Sequence, residues 1–407
     1  MAAKCYRRSA EQTNYVAMKS LGYLLSNGLG VNQDLEAARY WLTRAAEEGG
    51  NRRAMYNLGV LCDIRHRYTK TTAEAFQWFK KSADLGDALA CAALAQFYLR
   101  VRPDLDSYHY WRLKAATLGA TEAQYAMGIA YWRGDGVPKD VESSLGWYRK
   151  AAAKNHPEAL YNLACHYSEE KTNRLSMALA KEYMLRAALA GNREAQFENA
   201  MSCFRGDFAE HDFEGGKHWL ARAAENGWAR AEFCLFQLYY NGIPPVRGCP
   251  PYPKNAAEAI RWLRRAAAHE NLQAQAVLAV MLTKGTDMEQ NKAEAEKLLR
   301  NAAEHGYAPA QNDLGFSILN DDASKADLVE AAMWCRLAES RAADPNVSRT
   351  AKVNLSNALS RLTADQQLDV ERRAKNFQAL PVAEPFPMSE DWEKNPAYKQ
   401  EDGRFGH

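Results

Sequence analysis

Two helical patterns of apolar and polar residues alternate along most of the chain. The first places a Leu or Met four residues after an Ala, and an apolar residue four residues later still, as with Ala123, Met127 and Tyr131 in "AQYAMGIAYWRGDGVPKD". The second places an Ala four residues after a Trp, as with Trp41 and Ala45. Because residues four apart lie on one side of an α-helix, both patterns predict amphipathic helices. Long alternating runs of β-branched residues are missing from the sequence, and we therefore predict an all-α fold.

The Trp of the second pattern recurs at an interval of about 36 residues. Tyr183 and Leu298 stand in its place twice, which gives nine repeats. A single pair of amphipathic helices cannot bury its apolar faces, whereas stacked pairs bury them against one another. We therefore predict an α/α superhelical solenoid of about nine helix–turn–helix repeats. The positions that mark repeats one to nine are Trp41, Trp78, Trp111, Trp147, Tyr183, Trp219, Trp262, Leu298 and Trp334.

Smaller features of the repeat predict how its two helices meet. A Gly or Ala beside the Leu or Met of the first helix, such as Gly128, would let a neighbouring helix come close. The first helix ends at a glycine-containing loop, as in "NGLGVNQD" and "RGDGVPKD". Asp34 and Asp140 then stand where the second helix needs an N-cap.

These residues resemble the Sel-1-like repeat, a relative of the tetratricopeptide repeat. The shared motifs are A-x3-[LM]-[GA]-x2-Y, G-x-G-V-x2-D and A-x2-W-[YFL]-x-[KR]-A-A-x2-G, and residues 17–53 and 123–158 match them most fully. The resemblance implies an α/α superhelix that serves as an adaptor or scaffold, commonly in bacteria. Three repeats depart from the pattern. Repeat three has "VRPDLDSY" in place of the glycine loop, repeat seven inserts "IPPVRGCPPYPKN", and repeat nine has Glu339 at its second Ala.

The pattern divides the chain into three parts. Residues 10–345 form the predicted solenoid, and residues 346–378 form two predicted capping helices, the second of which begins with the capping box of Thr363 and Gln366. Residues 379–407 are rich in proline and acidic residues, which predicts an extended or disordered tail. The tail could also dock on the body of the protein through its aromatic residues, Phe386, Trp392 and Tyr398.

Composition narrows the class of partner. The 52 basic and 50 acidic residues nearly balance, so the chain lacks the overall positive charge of a nucleic-acid-binding protein. No segment of the sequence approaches the ~20 apolar residues of a membrane span. The eight cysteines do not recur as pairs at a fixed spacing, which argues against a disulfide framework. We therefore expect a cytoplasmic protein that does not bind nucleic acid and has no membrane span.

Motifs of catalysis or of cofactor binding are missing from the sequence. It contains no G-x-S-x-G, no H-E-x-x-H and no P-loop, so we expect no enzymatic activity, cofactor or metal. A basic residue follows the Trp by three positions in seven repeats, as Arg44 follows Trp41. This ridge of positive charge could bind an anion. It is also typical of a solvated helix face with partners four residues away, such as Arg44 with Glu48, and we favour that second interpretation.

A partner-binding surface is predicted on the first helices of repeats four to seven. In the tetratricopeptide-like superhelices that the chain resembles, positions two, six and nine after the repeat Ala line a concave groove. There the chain places aromatic residues beside arginines, a combination enriched among binding hot spots. The predicted site residues are Tyr125, Ile129, Trp132, Arg133, Tyr161, Phe197, Phe204, Arg205 and Tyr240. An alternative interpretation is that the first aromatic of each set (Tyr125, Tyr161, Phe197, Phe233) is a packing residue.

The predicted function is that of a protein–protein interaction scaffold that holds a partner segment, mixing carboxylates with apolar anchors, in this groove. Two alternatives stay open. Cysteine-rich relatives of the repeat are linked to penicillin binding and hydrolysis, but they carry a Cys pair in each repeat, which this chain lacks. The chain could also be an immunity-like protein that neutralises a secreted bacterial toxin.

Overall fold

The computed structural model describes residues 2–66, 72–169, 173–205, 212–242, 253–320 and 325–381. These ranges contain twenty-one α-helices and no β-strand, which confirms the predicted all-α fold. The chain divides into an N-terminal unit, Met1–Ala190, and a C-terminal unit, Gly191–His407. The helices of the N-terminal unit are α1 (Ala2–Glu11), α2 (Tyr15–Asn27), α3 (Leu35–Glu47), α4 (Arg52–His66), α5 (Thr72–Asp84), α6 (Ala88–Arg100), α7 (Leu105–Thr117), α8 (Thr121–Arg133), α9 (Val141–Ala152), α10 (Pro157–Glu169) and α11 (Arg174–Leu189). Those of the C-terminal unit are α12 (Arg193–Arg205), α13 (Phe213–Glu225), α14 (Ala229–Asn241), α15 (Ala256–Ala268), α16 (Leu272–Lys284), α17 (Lys292–Glu304), α18 (Ala308–Asn320), α19 (Lys325–Arg341), α20 (Pro345–Leu359) and α21 (Ala364–Asn376).

The helices pair as the sequence predicts. Repeats one to five are the pairs from α2–α3 to α10–α11, and repeats six to nine are the pairs from α12–α13 to α18–α19. Within each unit a helix packs mainly against the helices that precede and follow it in the chain, which is how a solenoid buries its apolar faces. Repeat three keeps its helix pair, α6 and α7, although it lacks the glycine loop.

The ends of the array are partly as predicted. The two helices expected after repeat nine are α20 and α21, and α21 begins with the predicted capping box between Thr363 and Gln366. Of its residues only Val370 is buried, as suits a terminal helix. At the other end, α1 packs against α2 and buries Ala3 and Ala10. The predicted solenoid starts at residue 10, and α1 was not predicted because it lacks the Trp that marks a second helix.

A recurring hydrogen bond closes the turn inside the repeats. In repeat four the N–H of Asp140 donates to the carbonyl of Tyr131 over 2.9 Å, and the Asp140 carboxylate accepts from the N–H of Glu142. The predicted N-caps at Asp34 and Asp140 are both confirmed. Repeat seven uses the same bond, from Asn255 N–H to Tyr239 O over 2.8 Å. Its second helix therefore starts in register, although residues 243–252 of the insertion lie outside the described residues.

Glycine brings the two helices of several repeats into direct contact. A Cβ on Gly59 would lie 2.5 Å from the ring of Phe79, and one on Gly128 would fall inside the space that the Tyr148 ring occupies. The same relation joins Gly22 to Leu42 and Gly315 to Cys335. In each of these four repeats, the residue that contacts the glycine directly follows the repeat Trp. The predicted role of the small residue in close packing is thus confirmed.

Candidate partner-binding surface

Five predicted site residues lie in the N-terminal unit, on two neighbouring first helices. Tyr125, Ile129, Trp132 and Arg133 belong to α8, and Tyr161 belongs to α10. Arg133 is exposed and the other four are half-buried. The helix ends directly after Arg133, because Gly134 adopts a left-handed conformation with φ of 85°. Trp132 and Arg133 are therefore the last two residues of α8.

Tyr125 is chiefly a packing residue. Its ring stacks on the imidazole of His156, with 4.5 Å between the centroids, and lies 5.9 Å from the ring of Tyr148. Burial raises the pKa of its phenol above the ordinary value. His156 is itself buried, and its ring nitrogens lie 3.1 Å from a Glu122 carboxylate oxygen and 3.2 Å from one of Glu158. Tyr125 thus helps to join α8 to the start of α10, as the alternative interpretation expected.

The predicted residues of the C-terminal unit contact its core. Phe197 is only 4% exposed and belongs to the hydrophobic core, so we leave it out of the proposed surface. The ring of Phe204 packs on Phe213 at 5.6 Å and on the backbone of Gly216. Tyr240 packs on Phe236 at 5.4 Å, and Arg205 is exposed.

A cation–aromatic contact recurs along the second helices and was not predicted from the sequence. The basic residue three positions after the Trp, or after Tyr183, lies over that ring, at 3.8 Å for Lys150 over Trp147 and 5.9 Å for Arg44 over Trp41. The seven pairs are Arg44–Trp41, Lys81–Trp78, Lys114–Trp111, Lys150–Trp147, Arg186–Tyr183, Arg222–Trp219 and Arg265–Trp262. The predicted bond between Arg44 and Glu48 is present at 2.8 Å. The aromatic ring is thus the partner that all seven basic residues share.

Buried glutamines join successive repeats. The side-chain amide of Gln275 donates to Ala267 O over 3.0 Å, and Gln311 donates to Ala303 O over 3.0 Å. Each acceptor belongs to the last turn of the preceding helix and also accepts a backbone N–H from just beyond it, that of Glu270 for Ala267 and that of Gly306 for Ala303. In repeat five, Arg186 of α11 donates to the equivalent carbonyl of Ala152 over 3.0 Å. The sequence feature that could have predicted these hydrogen bonds is the dipeptide Ala-Gln, which recurs at the start of the first helix.

Two cysteines of the C-terminal unit, Cys234 and Cys335, do not favour thiolate chemistry. Burial raises the pKa of the Cys234 thiol to about 11 and that of the Cys335 thiol to about 12, so both are protonated at neutral pH. Within the described ranges, no three His, Cys, Asp or Glu side chains are placed to hold a metal ion. Among the described helices, none combines the length and apolar character that crossing a membrane requires.

Comparison with known proteins places these features in a family. The Sel1 repeat model matches residues 16–50, 52–87, 121–156, 157–192, 193–228, 229–271, 272–307 and 308–341. Residues 88–120, which form the helix pair of repeat three, lie between two of these matches.

Two curated relatives and one crystal structure show the extent of the similarity. The chain is 26% identical to chitin synthase regulatory factor 3 of Schizosaccharomyces pombe over 54% of this chain and 24% of that protein. It is 29% identical to chitin synthase regulator SKT5 of Saccharomyces cerevisiae over 23% of this chain and 14% of that protein. The chain thus spans a quarter or less of the length of these relatives. A Sel1 repeat protein from Oxalobacter formigenes superimposes with a TM-score of 0.50 and 27% identity, over 76% of this chain and 88% of the other. The chain belongs to the Sel1 repeat family.

Proposed function

We propose that the chain is a scaffold that binds another protein through the first helices of its N-terminal unit. The surface that we propose, called the first-helix surface, consists of Ile129, Trp132, Arg133 and Tyr161. The observation that carries the proposal is that the last turn of α8 presents a half-buried Trp132 and an exposed Arg133. Trp and Arg are the residues most enriched among those that dominate binding energy at protein interfaces.

The chemistry of this surface favours a partner segment that carries both a carboxylate and an apolar anchor. The guanidinium of Arg133 would form a charge-assisted hydrogen bond with a carboxylate. Trp132 and Ile129 would cover an apolar side chain that lies next to it. In the C-terminal unit, Arg205 of α12 and Tyr240 of α14 are also an arginine and an aromatic residue, and we propose them as a separate contact surface of that unit.

The relatives support a role in regulation. Two of them are named as regulators of chitin synthase, and a repeat array that regulates another protein acts by binding it. We place the chain among proteins without enzymatic activity, and in the cytoplasm, because the eight cysteines of the sequence do not recur as pairs at a fixed spacing.

Affinity capture from the native cell tests the proposal. The full chain is compared with Trp132→Ala/Arg133→Ala, and Tyr40→Ala serves as the matched control because Tyr40 is an exposed aromatic on a second helix. We expect at least one protein to be retained by the wild type and the control, and its affinity to fall about 30-fold in the double variant, the scale of a hot-spot residue. Equal capture by all three proteins would refute the first-helix surface.

A further inference from the structure

The second helices of the C-terminal unit are linked by a series of ion pairs. The residue two positions after the repeat Trp, or after Leu298, is an arginine in repeats seven, eight and nine. Arg264 lies 2.8 Å from Glu294, and Arg300 lies 2.6 Å from Glu330. Arg336 continues the series to Glu371 of α21. Arg264 and Arg300 thus each pair with a carboxylate on the next second helix, and Arg336 pairs with one on the capping helix α21.

In the N-terminal unit, repeats three and five carry an exposed leucine at the same position, whereas repeats two and four carry Lys80 and Arg149 there. Leu113 of α7 is 42% exposed and Leu185 of α11 is 45% exposed. Tyr110 lies near Leu113 on α7 at 58% exposure, and Leu189 follows Leu185 on α11 at 60%. A single exposed leucine needs no explanation. Two helices that replace a charged position with leucine, and flank it with further exposed apolar side chains, indicate a surface that something covers.

These two helices lie on either side of α9. Lys154, just after α9, donates to the carbonyl of Gly119, just after α7. Arg186 of α11 donates to the carbonyl of Ala152 in α9 over 3.0 Å. The apolar residues of α7 and α11 therefore border α9 from both sides.

On the middle helix the equivalent position is the exposed Arg149, and the helix surface is low about one turn before it. Gly146 occupies the position of α9 that Tyr110 occupies in α7, and a Cβ added to it would meet no atom within 4 Å. The packing of the chain therefore does not require a glycine there, in contrast to Gly128. A glycine inside a helix is unfavourable relative to alanine, but it permits close approach by another molecule. Ala153, which lies exposed just beyond α9, continues the low strip.

The charge around this strip indicates what could cover it. Within their bounds, α7, α9 and α11 carry seven Lys and Arg residues against three Asp and Glu residues. Arg149 and Lys150 are exposed on α9, and Arg174 and Lys181 are exposed on α11. An apolar strip bordered by positive charge is complementary to a helix that has leucine-like residues on one face and carboxylates beside them.

We propose that Tyr110, Leu113, Gly146, Leu185 and Leu189, called the second-helix surface, bind an acidic amphipathic helix of a partner protein. The partner helix lies over α9, with its apolar face on Gly146 and between the side chains of α7 and α11. Its carboxylates face Arg149, Lys150 and Lys181. This site uses different helices from the first-helix surface and does not depend on it.

The test uses a defined probe. A fluorescein-labelled peptide of three heptads, each Leu-Glu-Glu-Leu-Leu-Glu-Glu, is titrated with the full chain and followed by fluorescence anisotropy. A matched peptide with Lys in place of every Glu measures the contribution of charge. We expect the acidic peptide to bind about tenfold or more tightly than the basic one, and its binding to weaken as salt is raised.

Two variants at the surface keep the test independent of folding. The first, Leu113→Arg/Leu185→Arg, places at both positions the residue that repeat seven has there, Arg264. The second, Gly146→Gln, places on α9 the residue that α5 has at the equivalent position, Gln77. The glutamine side chain should fill the strip while favouring the helix, so the melting temperature should not fall. We expect each variant to lose about tenfold or more of the affinity for the acidic peptide.

The controls separate this proposal from the others. Leu368→Arg, which changes an exposed leucine on α21, should leave peptide binding unchanged. Equal binding of the acidic and basic peptides, or unchanged binding by a folded Gly146→Gln variant, would overturn the proposal. So would a wild-type dimer in sedimentation that Leu113→Arg/Leu185→Arg dissociates, because a second copy would then be the occupant.

Discussion

The ring of Tyr148 occupies the space where a side chain on Gly128 would begin. The two helices of repeat four therefore touch through a glycine, and Tyr148 is almost completely buried. We expect Gly128→Ala to lower the free energy of unfolding by about 1–3 kcal/mol, the usual effect of overpacking a filled core. Urea denaturation measures the loss. Gly146→Ala is the matched control, since its Cβ meets open space and should raise stability slightly. Equal effects of the two substitutions would contradict the close contact.

The cation–aromatic pairs predict a measurable coupling. Lys150 Nζ lies 3.8 Å from the centroid of the Trp147 ring. We expect Lys150→Gln to reduce stability by about 0.5–1 kcal/mol, and we expect the effect to vanish when Trp147 is already Leu. A double-mutant cycle of unfolding free energies, measured by urea denaturation, isolates the coupling energy between Lys150 and Trp147. Lys139→Gln, which removes a charge from the loop before α9, is the control. An unchanged effect in the Trp147→Leu background would show that the ring is not the partner.

The buried thiols predict a loss of stability in alkali. Burial raises the pKa of Cys335 to about 12, whereas an unfolded cysteine ionises near pH 8.5. The folded state therefore keeps a neutral thiol that the unfolded state loses. The stabilising contribution is complete below about pH 8.5 and falls as the pH rises toward 12, by at most about 1.4 kcal/mol per pH unit. Unfolding free energies across this range should fall less steeply for Cys335→Ala than for the wild type. Parallel curves would contradict the prediction.

The insertion in repeat seven should be dispensable for stability. The bond from Asn255 N–H to Tyr239 O closes this repeat in the way that the bond from Asp140 N–H to Tyr131 O closes repeat four. Shortening residues 241–255 to "NGIPKN" keeps both partners of that bond. We expect the melting temperature to stay within a few degrees of the wild-type value, because loop-closure entropy changes slowly with length. A large drop would mean that the insertion packs on the helices.

Much of the fold could be predicted because one spacing rule governs it. Trp41 and its equivalents, with an Ala four positions later, fix the second helix of a repeat, and stacking follows from that. The roles of Gln275 and Gln311 could not be predicted in this way, since a glutamine looks like a surface residue until the carbonyl that it reaches is known. Helix α1 was missed for the related reason that Cys5 and its neighbours lack the repeat signature.

The candidate site could be predicted less well, because equivalent positions have different surroundings. Trp132 and Phe204 both lie nine residues after the repeat Ala. The facing position on the second helix is Gly216 in repeat six, and the Phe204 ring packs onto its backbone. In repeat four that position is Ser144, whose hydroxyl donates to Gly128 O over 2.7 Å. The pattern alone does not show which of the two aromatic residues is a packing residue.

This difference gives the sharpest prediction about the first-helix surface. Phe204→Ala should lower the free energy of unfolding by about 2 kcal/mol, because it removes a ring that packs on Phe213 and Gly216. Trp132→Ala should cost less than about 1 kcal/mol and should instead weaken the captured partner. Urea denaturation and the capture experiment, applied to both variants, provide the comparison. A stable Phe204→Ala protein would mean that its ring contributes little to packing. A Trp132→Ala protein that is as unstable as expected for Phe204→Ala would make Trp132 a core residue, and the proposed first-helix surface would then lose its anchor.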